Sequence, residues 1–218
     1  MKTALIFGSS GLIGGQLLKI LIETSNYNKI KLFVRSAPEI NDPKIEIIET
    51  DFNNLENHKN SIAGDVCFFC IGTTRKKTPD KNEYINIEYN LPIEVAKIAK
   101  SNSVNNFIYV SSIGANTNAS GLYLKNKGQA EEELKKLNFS KLSIMRPSIL
   151  LGNRKENRVA EKIGIFVMKT LSPLFLGKMK KYKPIKVENV AKTMLHVVRN
   201  DYQKTIFESD EIIEISNL

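Results

Sequence analysis

Three glycines at intervals of three residues restrict how the start of this chain can fold. Gly8, Gly11 and Gly14 lie in "GSSGLIGG", between the strand-like run "KTALIFG" and an amphipathic helix predicted for residues 12–24. At such a junction, glycines allow a tight turn, a close approach of backbone to a phosphate, and close packing of helix on strand. The free N–H groups of the helix start favour an anion. The pattern predicts a βαβ unit that binds a phosphate-bearing ligand.

Strand-like and helix-like segments alternate along most of the 218 residues. Further strands are predicted for the runs "KIKLFVR", "KIEIIETD", "DVCFFCIG", "NNFIYVSS" and "KLSIMRP". Helices are predicted for residues 80–101, with a break or kink at Pro92, and from the segment of Tyr123 to Leu137. This order predicts an α/β fold, a doubly wound parallel sheet of the Rossmann type, in one domain of residues 1–218.

The alternation becomes less regular after Arg146. In this part of the chain, helices are predicted at 159–171 and 188–200. A short strand is predicted at 185–187, and terminal strands at 205–207 and 212–215. Residues 151–187 are interpreted as a lid on the substrate side of the domain. Within it, residues 159–184 are expected to line the pocket, and their Ile, Phe, Leu and Met content favours a small, apolar substrate.

The residue after the second strand indicates which nucleotide the glycine loop would hold. Sites for NAD normally place a carboxylate about 20 residues beyond the glycines, on the ribose hydroxyl. This chain has Arg35 there, followed by Ser36. A guanidinium pairs with a 2′-phosphate through two hydrogen bonds, so the sequence favours NADP over NAD. Asp51, after the third strand, is a candidate acceptor for the adenine amino group.

Side chains with acid–base capacity follow the fifth strand, at the sheet edge where open α/β folds bind ligands. Ser111 and Ser112 end the strand, and Tyr123 and Lys127 are four positions apart on the next helix. An ammonium one helical turn from a phenol favours the phenolate, and a serine hydroxyl can stabilise charge on a carbonyl oxygen. Beside a dinucleotide, these residues predict a hydride-transfer site. The alternative is an amphipathic helix face without chemistry.

These motifs resemble those of the short-chain dehydrogenase/reductase superfamily, in its extended and atypical branch. "GSSGLIG", "YVSS", the Tyr123–Lys127 pair and "MRPSILLG" occur in that family's order, and "IGTTR" and "RPSILLGNRKENR" are similar to the Tat-interacting-protein-like oxidoreductases. The resemblance implies Tyr123 as proton donor and acceptor, and Lys127 as ribose ligand and modifier of the tyrosine's acidity. It also implies cofactor contacts from Ser10, Gly11, Leu12, Ile13, Arg35, Ser36, Ile71, Gly72, Leu150 and Arg158.

The same resemblance guides the choice between the two serines. Extended members usually use the second serine of such a pair, which selects Ser112 over Ser111. Tyr123 follows Ser112 by 11 positions, a shorter separation than in many members. Asn86, in "YINIEYN", is a further match to the asparagine that the family carries on this helix.

The expected function is an NADP-dependent oxidoreductase that transfers hydride on a carbonyl/alcohol substrate. One alternative is an NADP-binding sensor that regulates a partner and does no chemistry, since fold alone does not imply catalysis. A sugar-nucleotide epimerase or dehydratase ranks last, because such chains tend to have a larger substrate region after the residue that matches Pro147.

Composition limits the partners. The net charge of +9 comes from short, separated lysine clusters without a nucleic-acid-binding motif, so no nucleic acid is expected. The longest apolar runs are far below the roughly 20 residues that span a bilayer, and no signal peptide is visible, so we expect a cytoplasmic protein without integral membrane association. A monomer or homodimer is expected.

Cysteine and histidine give no sign of a metal site. Cys67 and Cys70 form C-x-x-C inside the strand-like "DVCFFCIG". Residues three apart in a strand point to opposite faces, so the two thiols are predicted to be free. His58 and His196 are isolated, without ligand spacing around them. No metal is expected.

Overall fold

The structure is a computed structural model that describes residues 2–152 and 177–218. Within these residues, seven parallel strands form one sheet, in the order β3-β2-β1-β4-β5-β6-β9. The strands of this sheet are β1 (Lys2–Phe7), β2 (Tyr27–Val34), β3 (Ile45–Glu49), β4 (Val66–Phe69), β5 (Asn106–Val110), β6 (Lys141–Arg146) and β9 (Ile206–Glu208). A second, two-stranded parallel sheet joins β7 (Leu150–Leu151) to β8 (Ile185–Lys186).

Helices connect the strands of the main sheet. The described α-helices are α1 (Leu12–Glu23), α2 (Lys81–Ile85), α3 (Leu91–Ser101), α4 (Leu122–Lys136), α5 (Val187–Arg199) and α6 (Ser209–Ile215). A π-helical turn (Asn86–Asn90) joins α2 to α3, and 3-10 turns cover Leu55–Ser61 and Gly177–Tyr182.

Alternate residues of each strand point to opposite faces of the sheet, and helices pack on the apolar side chains of both faces. Leu17 of α1 and Val190 of α5 pack on one face, together with Ile6 of β1. Val95 of α3 and Leu134 of α4 pack on the other face. The predicted α/β class and doubly wound parallel sheet are therefore confirmed.

The long helix predicted for residues 80–101 contains a π-helical turn immediately before Pro92. Asp80 caps its start by accepting a hydrogen bond of 2.8 Å from the Glu83 N–H. Proline has no N–H with which to donate an α-helical hydrogen bond. The residue before it, Leu91, donates its N–H to the Asn86 carbonyl, five residues back, as in a π-helix. The predicted irregularity at Pro92 thus takes the form of a wider turn.

One predicted strand is wrong. Residues 212–215 belong to helix α6, where Glu208 and Glu211 form a reciprocal capping box and Glu208 N–H donates to Glu211 at 2.9 Å. The predicted helix at 159–171 lies outside the described residues, as does most of the predicted lid. In the part of the chain that is described, no helix has the length and hydrophobicity needed to cross a membrane.

Candidate functional site

The glycine loop leaves β1 and turns sharply into α1. Gly8 has a φ of +92°, and a Cβ there would lie 2.8 Å from the Cys70 carbonyl carbon. A Cβ on Gly14 would overlap the Gly8 carbonyl oxygen. Gly11 N–H donates to that same oxygen at 3.0 Å, which closes the turn. Side chains at these positions would fill the loop, so the glycines keep its backbone open to a ligand.

The start of α1 is open to an anion, since no side chain caps it. The first hydrogen bond of the helix runs from Gly15 N–H to the Gly11 carbonyl at 2.8 Å, which leaves the N–H groups of residues 12–14 available. Ser10 and Gly11 are exposed, whereas the Ile13 side chain belongs to the core. Of the predicted contacts here, Ile13 can offer only its backbone.

Arg35 and Ser36 lie directly beyond β2, the strand beside the glycine-loop strand. Phe33 of β2 pairs with Phe7 of β1, which brings Arg35 to the same sheet edge as Gly8. Both Arg35 and Ser36 are exposed. Within residues 2–152 and 177–218, the Arg35 guanidinium has no ion-pair partner, so its charge is available to an anionic group.

Asp51 has its carboxylate turned onto its own loop. Its oxygens accept hydrogen bonds from the backbone N–H of Asn53 at 2.9 Å and from the Asn53 side chain at 3.2 Å. These bonds lower the pKa of Asp51. The predicted adenine contact would therefore have to share a carboxylate that the loop already uses.

The remaining predicted cofactor contacts come from two later segments. Ile71 and Gly72 follow β4, and a Cβ on Gly8 would lie 2.9 Å from the Ile71 nitrogen, so this segment borders the glycine loop. Leu150 begins β7, is half-buried, and packs against one of the two core clusters. Arg158 lies outside the described residues.

Tyr123 and the two serines differ in how accessible they are. Tyr123, in the first turn of α4, is 39% exposed. Ser112 is half-buried and its hydroxyl makes a weak hydrogen bond of 3.4 Å to the Ile113 carbonyl. Ser111 is buried, and its hydroxyl donates to Glu131 at 2.5 Å. Only Ser112 of the pair has a hydroxyl that a bound substrate could reach.

Lys127 is buried at the carboxyl edge of the sheet, with 3% of its surface exposed. Its ammonium donates to the Val110 carbonyl at 3.0 Å and lies 3.0 Å from Glu88 Oε2. It also stands 4.8 Å from the centre of the Tyr109 ring. The contact with Glu88 is an ion pair, and Glu88 Oε2 accepts no hydrogen bond from the ammonium.

Burial and charge act on Lys127 in opposite directions. Burial alone lowers the pKa of an ammonium, because the charged form loses its hydration. Tyr109, Glu88 and Tyr123 outweigh this effect, and the pKa of Lys127 is raised above its ordinary value. Lys127 therefore carries its positive charge at any physiological pH.

Glu88 was missed by the sequence reasoning. It lies in the π-helical turn, is 1% exposed, and accepts a hydrogen bond of 2.5 Å from Thr73 N–H in addition to its Lys127 contact. The available signal was its spacing: Glu88 comes four residues after the buried Tyr84 and seven before the buried Val95. An acidic residue on the buried stripe of a helix requires a partner.

Glu131 is a second buried carboxylate that the motifs did not reveal. It accepts hydrogen bonds from the Ser111 hydroxyl and from two guanidinium nitrogens of Arg146. Arg146 Nε donates to Oε1 at 2.9 Å and Nη2 donates to Oε2 at 2.5 Å. Arg146 also pairs with Glu208 at 3.1 Å. This network fixes β5, α4, β6 and β9 to one another directly behind the Ser111–Ser112 edge.

The cysteines and histidines have no ligand arrangement. Cys67 packs in the cluster on one face of the sheet and Cys70 against the cluster on the other, and both thiols are free. In the described part of the chain, no group of three or more His, Cys, Asp or Glu side chains could hold a metal ion. Two cavities, of about 440 and 350 Å³, lie away from the edge with Tyr123 and Lys127.

The fold and this edge define a class: a Rossmann-type domain whose glycine loop is shaped for a dinucleotide. The chain belongs to the NAD(P)H-binding family, which matches residues 8–201. It is 32% identical to "Protein FMP52-1, mitochondrial" of Scheffersomyces stipitis over 98% of each chain. It is 32% identical to "Protein HTATIP2" of Rattus norvegicus, over 73% of this chain and 67% of that relative.

Solved structures share the fold at low sequence identity. The Bordetella bronchiseptica enzyme WbmH, crystallised in complex with NAD+, matches with a TM-score of 0.72 and 16% identity, over 100% of this chain and 80% of that one. ADP-L-glycero-D-manno-heptose-6-epimerase of Helicobacter pylori matches with a TM-score of 0.70 and 16% identity, over 99% and 81%. These likenesses extend to the fold alone.

The relatives correct one expectation. Four yeast relatives, from Scheffersomyces stipitis, Debaryomyces hansenii, Candida albicans and Meyerozyma guilliermondii, carry the word "mitochondrial" in their names. The cytoplasmic location expected from the sequence is therefore wrong. The expectation depended on seeing no secretory signal peptide, and that observation does not distinguish the cytoplasm from other compartments.

Proposed function

We propose that this protein is an NADP-dependent oxidoreductase that transfers hydride on a carbonyl/alcohol substrate. The observation that carries the proposal is the buried, charged Lys127 at the same sheet edge as the glycine loop, with Tyr123 one helical turn away. A charge placed without hydration at a ligand-binding edge is typical of functional sites.

The residues fit the dinucleotide and divide its binding among them. The glycine loop and the open start of α1 would hold the pyrophosphate. Arg35, which has no ion-pair partner among the described residues, would hold the adenosine 2′-phosphate. Lys127 would donate a free N–H to the ribose, since an ammonium has three donors and the Val110 carbonyl accepts one of them. When bound, the nicotinamide supplies the chemistry of hydride transfer.

Tyr123 is the phenol best placed to exchange a proton with a substrate. Burial raises the pKa of both Tyr84 and Tyr109 to about 12, so each stays protonated at neutral pH. Tyr123 is exposed and interacts electrostatically with Lys127. It would give its proton to the carbonyl oxygen during reduction and take it back during oxidation, while Ser112 donates a hydrogen bond to that oxygen.

The Tyr123→Phe variant tests this function directly. It should bind NADPH as tightly as the wild type and lose nearly all turnover with a panel of aldehydes and ketones, followed by NADPH consumption. Tyr202→Phe, at the opposite side of the sheet, is the matched control and should keep its activity. Full activity in Tyr123→Phe would remove Tyr123 from the mechanism.

The wild-type protein distinguishes the remaining alternatives. NADPH binding without turnover across the whole panel would favour an NADP-binding sensor over an enzyme. A failure to bind either NADPH or NADH would overturn the proposed function as a whole. The small, apolar substrate and the monomeric or homodimeric state stay proposals, to be tested by the same panel and by light scattering.

A further inference from the structure

The contact between Glu88 and Lys127 joins two helices at the edge where the proposed chemistry takes place. Glu88 lies in the π-helical turn between α2 and α3, and Lys127 lies on α4. Both side chains are almost wholly buried, and Glu88 Oε2 is 3.0 Å from the Lys127 ammonium. A buried carboxylate is costly without a compensating charge, so this placement requires explanation.

Glu88 also contacts the loop that follows β4. Its Oε1 accepts a hydrogen bond of 2.5 Å from Thr73 N–H, while Oε2 faces Lys127. Gly72, in the same loop, borders this carboxylate, since a Cβ there would lie 3.5 Å from Oε1. One carboxylate therefore links the ligand-side loop to the lysine, and its two oxygens have separate partners.

Lys127 would lose its charge without an anion beside it. Its other close partners are the Val110 carbonyl and the Tyr109 ring, neither of which carries a full negative charge at neutral pH. Burial disfavours the ammonium, so a lysine with only these partners would tend to deprotonate. Glu88 is the acidic side chain that faces the ammonium among the described residues.

We propose that Glu88 is the positioning residue of this site: its carboxylate keeps the Lys127 ammonium charged and held at the dinucleotide-binding edge. The inference rests on the proposed function for its consequence in cofactor binding, although the charge on Lys127 is testable without a cofactor. The Val110 carbonyl accepts one N–H of the ammonium and Glu88 pairs with its charge, which leaves donor capacity for the ribose.

Other titratable groups surround the ammonium and enter its pH dependence. They come from the end of β4, from α2, the π-helical turn, β5 and α4: Cys70, Tyr84, Glu88, Tyr109 and Tyr123. At neutral pH, Cys70, Tyr84 and Tyr109 are uncharged, because burial raises the pKa of each to about 12. Replacing Glu88 therefore removes the neighbouring negative charge without removing any other.

The first experiment measures NADPH affinity against pH in Glu88→Gln, Glu88→Asp and Glu83→Gln. Glu83 lies on the same helical segment and is exposed, so Glu83→Gln is the matched control. In Glu88→Gln, burial would let Lys127 lose its proton as pH rises, so affinity should fall by about tenfold more than in the control between pH 7 and about pH 9.5. Glu88→Asp keeps the charge and should restore most of the control's profile. Identical profiles in Glu88→Gln and Glu83→Gln would overturn the proposal.

The second experiment follows unfolding against pH and uses no cofactor. In the wild type, the raised pKa of Lys127 contributes stability at pH values below the ordinary lysine pKa of about 10.4, and that stability is lost as pH rises further. In Glu88→Gln, the pKa of the buried lysine should fall below its ordinary value, which reverses the change of stability with pH. This variant should therefore become more stable as pH rises towards about 10.4. A stability difference that stays constant with pH would show that Glu88 only ties the helix to the loop. Because this measurement uses no cofactor, its result is independent of whether the wild type binds NADPH, which is the test of the proposed function.

A third variant covers the case in which Glu88→Gln does not fold. The double variant with Glu88→Gln and Lys127→Met removes both charges, so it should fold and be more stable than Glu88→Gln alone. That result would identify the uncompensated ammonium as the cause of the instability. A double variant that is no more stable than the single one would contradict the proposal.

Discussion

The Ser111 hydroxyl donates a hydrogen bond of 2.5 Å to Glu131 Oε1, in the interior between β5 and α4. Ser111 is thereby bound to a structural carboxylate, whereas the neighbouring Ser112 is only half-buried. The two adjacent serines thus have separable tasks, one in stability and one in the proposed chemistry.

Alanine substitutions should separate these tasks. Ser111→Ala removes a buried hydrogen bond to a charged group, so we expect a loss of about 1–3 kcal/mol of unfolding free energy and little change in NADPH affinity. Ser112→Ala should change stability by less than about 0.5 kcal/mol and lower turnover. Chemical denaturation and NADPH consumption measure the two effects. Loss of turnover in Ser111→Ala at unchanged stability would exchange the roles.

Glu131→Gln should be strongly destabilising. It removes the charge that Arg146 contacts through two nitrogens and leaves the guanidinium with Glu208 alone. Breaking a largely buried ion pair costs about 3–5 kcal/mol, and we expect the lower end because Glu208 remains. Glu132→Gln, in an exposed pair with Lys135, is the control and should cost less than about 0.5 kcal/mol in the same denaturation experiment. Equal effects of the two variants would contradict this account.

Arg35→Ala should remove the preference for NADPH over NADH. Its guanidinium is exposed and has no ion-pair partner among the described residues, so the substitution should leave folding intact. Losing charged hydrogen bonds to a 2′-phosphate should weaken NADPH binding by about tenfold or more and leave NADH affinity unchanged. Lys19→Ala, which removes an exposed charge from α1, is the control in fluorescence titrations. Unchanged selectivity in Arg35→Ala would reject its role at the ribose.

Gly14→Ala should disrupt the dinucleotide loop. The added methyl group would overlap the Gly8 carbonyl oxygen, so loop or helix must move, at a cost of about 1–3 kcal/mol in stability. NADPH binding should be lost at the same time. Gly121→Ala makes the same change where no atom lies within 4 Å, and it should retain binding. Calorimetric titration of both variants measures the effect, and tight NADPH binding by Gly14→Ala would be inconsistent with a phosphate site here.

The two thiols should be unreactive in the folded protein. Burial raises the pKa of Cys67 well above its ordinary value and raises that of Cys70 to about 12. At pH 8, only about one Cys70 thiol in ten thousand would then be ionised, and the thiolate is the reactive form. Labelling with a disulfide reagent should therefore be slow until the protein is unfolded. Fast labelling of a native thiol would show that its strand position is more open than the structure has it.

Much of the fold could be predicted because its signals are local. The apolar runs of β1, β4 and β5 identify strands buried on both faces, and the glycines after β1 mark the turn into α1. The exception was 212–215, where "IIEI" fits either a strand or a short helix. The capping box of Glu208 and Glu211, with Ile212 turned into the core, decides for the helix.

The sequence by itself determined the order of the elements, the glycine loop and the spacing of Tyr123 and Lys127, since each depends on neighbours within a few residues. Only the tertiary structure decided which partners the buried charges have: Glu88 has Lys127 on another helix, and Glu131 has the Ser111 hydroxyl, 20 positions away. The physical reason is that a buried charge must find its partner through packing, and packing joins segments that are distant along the chain.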